Sequence, residues 1–494
     1  MTTQAIGISG LAAYLPPYRV DLRAWCDWTE ESWDKIRTVV GRSFRMRGPG
    51  ENVYTMSATA VMRLIRQYDI DPQRIGFLAL GTESSTDNSA GAVIVKGMVN
   101  AGLKAEGRPP LPRHCEVPEF KHACLGGVYA LKSALRYLAT DGRGRQALVI
   151  SSDIAEYARA SSGEATQGAG AVAMLLEASP KLLEVDLAQA GSASDYRGPD
   201  FRKPFARFAG QNIPPGTPLK DFPIFNGKYS TTCYVDEVLL AMEDMFSRRP
   251  DNRRAYLDSL AAVFMHRPYQ RMPETGYGMA YLYALATGDK KDQVLLAELT
   301  RSTGIDDGDS VIAELTRRPE VFSLVAAERI DDEVYPLAMQ TLRAFRTHPV
   351  YAESVAGRLA LGADAMRDMG NLYAAALPAW MAAGLEEAVH DGIDLAGGEI
   401  LAVGYGSGDA AEALPMRVRP EWQGAAQCIR LKESFEGARD LNEDDYVCLH
   451  EHGHLATASA GSEFLIERVG CGTRDDFDDR GIEYYRYVPR DSAA

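Results

Sequence analysis

The chain has 494 residues, too many for one simple domain and enough to bury a large core. Its 53 basic and 68 acidic side chains leave a formal charge of −15, which argues against a general nucleic-acid binder but allows a phosphate-bearing ligand held by a few local cations. Seven scattered cysteines without a CxxC pair read as reduced thiols, no basic leader opens the chain, and no apolar run approaches the ~20 residues of a membrane span, so a cytoplasmic protein with no membrane partner is expected.

Residues 5–15 read as an opening strand closed by Pro16-Pro17, and the charged run 29–50 as surface cover. Ala58, Val61, Met62 and Ile65 fall at helical spacing and predict a helix over 56–68, stopped before Asp71-Pro72. A buried strand over 74–80 ends in Gly81-Thr82-Glu83-Ser84-Ser85; small and polar residues after such a strand mark the functional rim of an α/β sheet. Residues 113–117 read as a short strand ending at Pro118, before Lys121-His122-Ala123-Cys124-Leu125-Gly126-Gly127. Val128, Leu131, Leu135 and Leu138 then line one face of a helix. A strand over 146–151 leads through Ser152-Asp153-Ile154 and a glycine-rich segment to another over 171–176. Strands alternating with helices predict a mainly parallel sheet covered on both faces.

The second half replays this pattern after a proline-rich stretch over 195–220. A helix is predicted over 234–246 and an apolar strand over 257–264, ending in Met265-His266-Arg267-Pro268. A strand over 399–403 ends in Gly404-Tyr405-Gly406-Ser407-Gly408 and resembles the element at 168–176. The absence of a short period points to duplication of a whole α/β half, over 1–195 and 196–494, rather than a solenoid. The acidic, helical run 290–339 reads as an accessory insertion spanning about 286–345, and residues beyond Trp422 give antiparallel strand signals with a charged tail.

Glu83, Cys124 and His266 each lie at or just past the end of an apolar stretch, where a site assembles in an open α/β sheet. A cysteine at a helix start meets unpaired N–H groups and the positive end of the macrodipole, a setting that favours the thiolate. Gly126 and Gly127 would clear space for a thioester and for backbone donors. A thiolate can take up an acyl group, a glutamate in an apolar pocket can act as acid or base, and a histidine can polarise a carbonyl. Taken singly, each also has a bland reading: an inert buried thiol, a surface carboxylate, a hydrogen-bonded structural imidazole.

Together with the surrounding motifs they resemble the 3-hydroxy-3-methylglutaryl-CoA synthase family of the thiolase-fold condensing enzymes, over about 6–418. Gly81-Thr82-Glu83 is similar to the family's GTE, Ala123-Cys124-Leu125-Gly126-Gly127 to its AC-x-GG, and Ser152-Asp153-Ile154-Ala155-Glu156-Tyr157-Ala158 to GDIA-x-YA. Asp200-Phe201-Arg202-Lys203-Pro204 resembles DFYKP, and Asn226-Gly227-Lys228-Tyr229-Ser230 with Cys233-Tyr234 resembles DGK-x-S and its following CY. Phe264-Met265-His266-Arg267-Pro268-Tyr269 is close to FH-x-PY, while Gly370-Asn371-Leu372-Tyr373 matches GNLY and Tyr405-Gly406-Ser407-Gly408 matches YGSG.

The resemblance implies a thiolase-like fold of two pseudo-symmetric α/β halves in an αβαβα arrangement. It implies that Cys124 takes an acetyl group from acetyl-CoA, that Glu83 removes a methyl proton, and that His266 steadies the alkoxide formed on acetoacetyl-CoA before water frees the product. Asn371, Tyr405, Ser407 and Gly408 would bind substrate, the N–H groups near Cys124 and Ser407 forming an oxyanion hole. Arg271, Lys203, Arg202 and Arg267 would meet the CoA phosphates, with Arg271 standing where the family has lysine and Arg202 where it has tyrosine. His122 replaces the usual asparagine before the nucleophile motif. CoA thioesters are expected as substrates with no resident cofactor or metal, in a homodimer serving the mevalonate route to isoprenoids.

Three alternatives remain open: a ketoacyl-synthase-like Claisen enzyme, a polyketide β-branching synthase fed by an acyl-carrier protein, and a non-catalytic thiolase scaffold. His450-Glu451-His452-Gly453-His454 spells the zinc-protease pattern, but 445–449 reads as a strand and Gly453 interrupts any helix, so no metal is expected there.

Overall fold

The computed structural model describes residues 5–85, 90–202, 222–305, 308–317, 320–457, 461–474 and 477–489. Its spine is a ten-stranded sheet formed by β1 (Ile6–Tyr14), β2 (Ile75–Gly81), β3 (Glu119–Phe120), β4 (Gln146–Ala155), β5 (Gly168–Ala178), β6 (Leu183–Val185), β7 (Gly191–Ser194), β8 (Ala262–Met265), β9 (Glu399–Gly406) and β10 (Ala410–Val418). The order is β8-β9-β10-β6-β1-β5-β4-β2-β3, with β7 also paired to β10.

Side chains along each strand alternate between two cores, as the pleat requires. The ladder Ala79, Val149, Met174, Leu11 lies on one face, and the adjacent ladder Leu80, Ile150, Ala173, Ala12 on the other. The second face packs on α1 (Val53–Gln67) and α2 (Gly91–Ala105). Helix α1 starts where Asn52 Oδ1 accepts the N–H groups of Tyr54 and Thr55, both at 3.0 Å, while Thr55 Oγ1 accepts that of Asn52 at 2.9 Å. The first face packs on α3 (Gly126–Ala139).

The other half mirrors this arrangement, with α4 (Gly227–Ser247) lying on β9 and β10 and α5 (Arg271–Ala286) packed against α4. Helix α9 (Ala376–His390) joins α3 in the layer between the halves. The helices α6 (Lys290–Arg301), α7 (Gly308–Thr316) and α8 (Pro336–Phe345) pack on α5 through Leu296, Leu315 and Phe345, the last stacked on Tyr281 at 5.6 Å between centroids. The layers thus run helix, sheet, helix, sheet, helix. Hydrogen bonding of β1 to β6 makes the two half-sheets continuous.

The sheet is mixed rather than mainly parallel: β2/β3, β2/β4 and β8/β9 are parallel, and its other described pairings are antiparallel. A strand buried on both faces has the same apolar run in either direction, and 156–167 returns the chain beside β4 instead of crossing over a helix. The repeat also shifts. In pairing order β9 occupies the place of β4, and β10 that of the Gly168–Ala178 strand, because each half runs from a parallel pair into antiparallel ones.

Several local expectations are corrected. Residues 29–50 are not all surface cover: Trp33–Val39 is a largely exposed helix, but Ser43–Met46 is a buried strand that pairs with Tyr18–Asp21, and Arg45 donates to the Pro16 carbonyl at 3.0 Å. The strand expected over 113–117 lies after Pro118, as β3. The start of the 257–264 run belongs to a helix, Arg253–Ser259, capped by Asn252. Beyond Trp422 the chain includes the helices Trp422–Ala426 and α10 (Glu443–His452) before the antiparallel pair Phe464–Val469 and Glu483–Tyr487.

Candidate active site

The turn carrying Cys124 is held between the two halves. Ala123 adopts φ +41°, a left-handed conformation uncommon for a residue with a Cβ, and Cys124 follows just ahead of the first turn of α3. A Cβ on Gly127 would collide with Ser151 Oγ, and one on Gly126 would crowd the Phe120 carbonyl. These glycines admit the Ser151 side chain of β4 and the Phe120 carbonyl of β3 against α3. Gly406 lets the end of β9 approach His122 and Leu125 in the same way, which brings Ser407 to the site.

Cys124, His266, Asn371, Tyr405 and Ser407 line one cavity of about 150 Å³. Glu83 reaches it through the nucleophile, with Cys124 Sγ 3.5 Å from Glu83 Oε2. Tyr157, Phe201 and Tyr373 form an aromatic wall, Tyr373 standing edge-on to Tyr157 at 6.5 Å and to Phe201 at 6.0 Å. Sequence reasoning left these three without a role, although each lies inside a quoted motif.

Asp153 ties the site together from behind. It is fully buried, and its Oδ1 accepts from Thr82 Oγ1 (2.8 Å), the Glu83 N–H (2.8 Å), the Ser84 N–H (3.0 Å) and Ser84 Oγ (2.9 Å). Its Oδ2 accepts the Ala374 N–H at 2.8 Å. One carboxyl group thus fixes both the Glu83 segment and the turn after Asn371. Within that turn, Asn371 Oδ1 accepts the Tyr373 N–H at 2.9 Å, so Asn371 steadies the turn as well as lining the cavity.

Electrostatics correct the thiolate expectation. Burial, then the charges of Glu83 and Asp153, push the Cys124 thiol well above its ordinary range, so the resting group is S–H. Burial pushes the His266 imidazole down to about 3, so it is neutral; its Nδ1 has no hydrogen-bond partner among the described residues. The ring stacks on Tyr405, with centroids 6.4 Å apart and planes 26° apart. His122 turns edge-on to Tyr129 at 5.4 Å, and burial lowers its pKa too.

Other expected contacts are placed differently. The Tyr405 hydroxyl is bonded to Asp200 and Asp409, leaving its ring as cavity wall. Gly408 does not line the cavity, and its N–H goes to the Asp409 carboxyl. Arg267 is corrected as a phosphate contact: it is 4 % exposed, donates to the Ala363 carbonyl at 3.1 Å and lies over the Trp380 ring at 5.3 Å. Arg271 opens α5, half-exposed and paired with Glu274 at 3.7 Å. Arg202 lies on the strand Phe201–Arg202, its side chain outside the described part, and Lys203 lies outside the described residues altogether.

The His450 motif sits on a helix, not on the expected strand. That helix ends at Gly453 (φ +63°), so His454 does not continue the face that carries His450. His450 is buried against the Tyr157 carbonyl at 2.9 Å, and no group of three or more metal-ligating side chains is placed to hold an ion among the described residues.

Comparison with known proteins is consistent along the chain. Residues 2–181 match the family model "Hydroxymethylglutaryl-coenzyme A synthase N terminal", and residues 215–447 match the corresponding C-terminal model. The chain is 27 % identical over 409 residues to a hydroxymethylglutaryl-CoA synthase of Haloferax volcanii, covering 82 % of this chain and 81 % of that one. It is 26 % identical over 460 residues to a hydroxymethylglutaryl coenzyme A synthase of a Fusarium species, covering 90 % and 89 %. The fold matches a solved structure of MvaS in complex with 3-hydroxy-3-methylglutaryl coenzyme A with a TM-score of 0.74 at 24 % identity, over 98 % of this chain and all of that one. It also matches the curacin-pathway HMG synthase in complex with apo donor-ACP, at 0.67 and 18 % identity, over 98 % and 100 %. With a thiolase-like layered fold and two family models that together cover most of its length, the chain belongs to the hydroxymethylglutaryl-coenzyme A synthase family.

Proposed function

We propose that this protein condenses acetyl-CoA with acetoacetyl-CoA, or a related short 3-ketoacyl thioester, to give 3-hydroxy-3-methylglutaryl-CoA through an acetyl-cysteine. The observation that carries this reading is the 3.5 Å approach of Cys124 Sγ to Glu83 Oε2 at a cavity lined by His266 and Asn371. A neutral thiol needs a base, and Glu83 is within reach. As sulfur attacks the thioester carbonyl, the S–H proton passes to the carboxylate, and from there to the departing CoA thiolate. The restored carboxylate then removes a proton from the acetyl methyl. The resulting enolate attacks the ketone carbon of the second thioester, neutral His266 donates a hydrogen bond to the developing alkoxide, and the proton taken up by Glu83 passes to that oxygen, restoring the carboxylate. Water hydrolyses the remaining thioester and frees Cys124.

The cavity of about 150 Å³ in front of Cys124 is a space for short acyl groups. CoA itself would lie outside, with Arg271 one residue before the lining Met272; Arg202 and Lys203 are retained as phosphate contacts on the family resemblance alone. We infer CoA as the carrier of both acyl groups, no resident cofactor, a homodimer, and a cytoplasmic setting in the mevalonate route. No described helix is long and apolar enough to cross a membrane. The decisive experiment is CoA release from acetyl-CoA with and without acetoacetyl-CoA, with the product and the Cys124 peptide identified by mass. Absence of acetylated Cys124 would sink the reading. Full condensation by Glu83→Ala would replace it with Claisen chemistry, and turnover only from carrier-bound acyl groups would move it to β-branching.

A further inference from the structure

The Tyr405 wall of the cavity is anchored by a buried acidic pair. Tyr405 Oη lies 2.9 Å from Asp200 Oδ2 and 3.0 Å from Asp409 Oδ1, and the two carboxyl groups are 0 % and 3 % exposed. A phenol brings one hydrogen. Once it is donated to one carboxylate, the other oxygen faces the phenol lone pair to lone pair unless the pair holds a proton of its own. The remaining oxygens, Asp200 Oδ1 and Asp409 Oδ2, are buried without a hydrogen-bond partner among the described residues.

We propose that Asp200 and Asp409 share one proton that fixes the Tyr405 phenol, and with it the wall against which His266 stacks, making Asp409 a positioning residue for the condensation. The inference rests on the assignment of this cavity to that reaction.

The surrounding charges leave the pair little help. Arg197 approaches Asp409 Oδ2 only to 3.7 Å. Its other amino group serves Asp236 of α4, Glu237 at 3.1 Å and Asp195 at 3.4 Å. Among the described residues, Tyr229 and Cys233 of α4 are further titratable groups close by. One guanidinium thus faces several buried acids, and burial together with Asp200 holds the Asp409 carboxyl well above the ordinary carboxylate range. Alkali would remove the shared proton, set two carboxylates against each other and release the phenol.

Infrared spectra of the whole enzyme across a pH titration, beside pH profiles of kcat/KM, test this. The expected result is a protonated-carboxyl band at neutral pH that is lost in Asp409→Asn. It is also lost from the parent protein at the alkaline pH where activity begins to fall about tenfold per pH unit. Asp409→Asn, which keeps a neutral hydrogen-bonding group, is expected within about fivefold of the parent at neutral pH, with its alkaline limb flattened, while Asp409→Ala falls well below both. Glu237, pushed up to about 7 by burial, is a competing buried acid, and Glu237→Gln should leave the alkaline limb in place. The proposal is overturned if the band survives in Asp409→Asn, if Glu237→Gln removes the limb instead, or if the asparagine and alanine variants behave alike. The band reports on the pair even if the chain condenses nothing, so the two failures are distinguishable.

Discussion

Replacing Asp153 by asparagine tests how the site is assembled. Its two oxygens together accept from four groups of the 82–84 segment and from the Ala374 N–H. An amide has only one acceptor oxygen, so Asp153→Asn turns an N–H donor toward either the Glu83 segment or Ala374. That leaves buried donors facing each other in a site that is 0 % exposed. Loss of a hydrogen bond to a charged group costs about 1.5–3 kcal/mol. If that cost falls on the transition state, the rate drops about 10- to 150-fold at 1.36 kcal/mol per decade. Both Cys124 acetylation and condensation should fall, because one end of the bridge orients Glu83 and the other the turn after Asn371. Single-turnover acetylation with labelled acetyl-CoA, run beside steady-state product formation and active-site titration, separates slow chemistry from a smaller active fraction. A variant whose correctly folded fraction works within threefold of the parent would refute the reasoning.

Glu83→Gln removes the base while keeping the side-chain shape, and should lower condensation by about 10²–10⁴-fold when product is followed by mass. His266→Ala should depress condensation far more than Cys124 acetylation, since the imidazole acts on the second substrate. With its pKa pushed down to about 3, His266 stays neutral from pH 5 to 8 and should contribute no acid limb to the profile there. A histidine-dependent inflection in that window would contradict the buried, neutral ring. Lys132 of α3 meets Glu412 of β10 at 2.5 Å, with side chains 8 % and 2 % exposed. Lys132→Met should therefore destabilise the fold by about 3–5 kcal/mol in denaturant unfolding, and adding Glu412→Leu should recover part of that loss.

Much of this architecture is legible in the residues because each apolar run ends where chemistry-bearing side chains begin, as at Gly81, Met265 and Gly406. Strand direction is not. An apolar run buried on both faces reads alike up or down, and only the return through 156–167 makes β4 and β5 antiparallel. Neighbours on a strand end also part company: His266 meets the cavity while Arg267, one residue on, meets Trp380. Local sequence cannot decide which of the two turns inward. The thiol's protonation was beyond a local reading for a related reason: the helix start favours a thiolate, but burial opposes it, and then the acids Glu83 and Asp153, which arrive from far away along the chain.

The nucleophile rides on the one helical layer that both half-sheets grip, so its freedom to move is set by the least yielding part of the molecule. Accommodation of incoming thioesters must then fall to the periphery, around Phe201, Tyr269 and Met272, while sulfur and carboxylate keep their spacing. Amide hydrogens along Gly126–Ala139 should be among the slowest in the protein to exchange, and substrate should change the exchange of the rim far more than theirs.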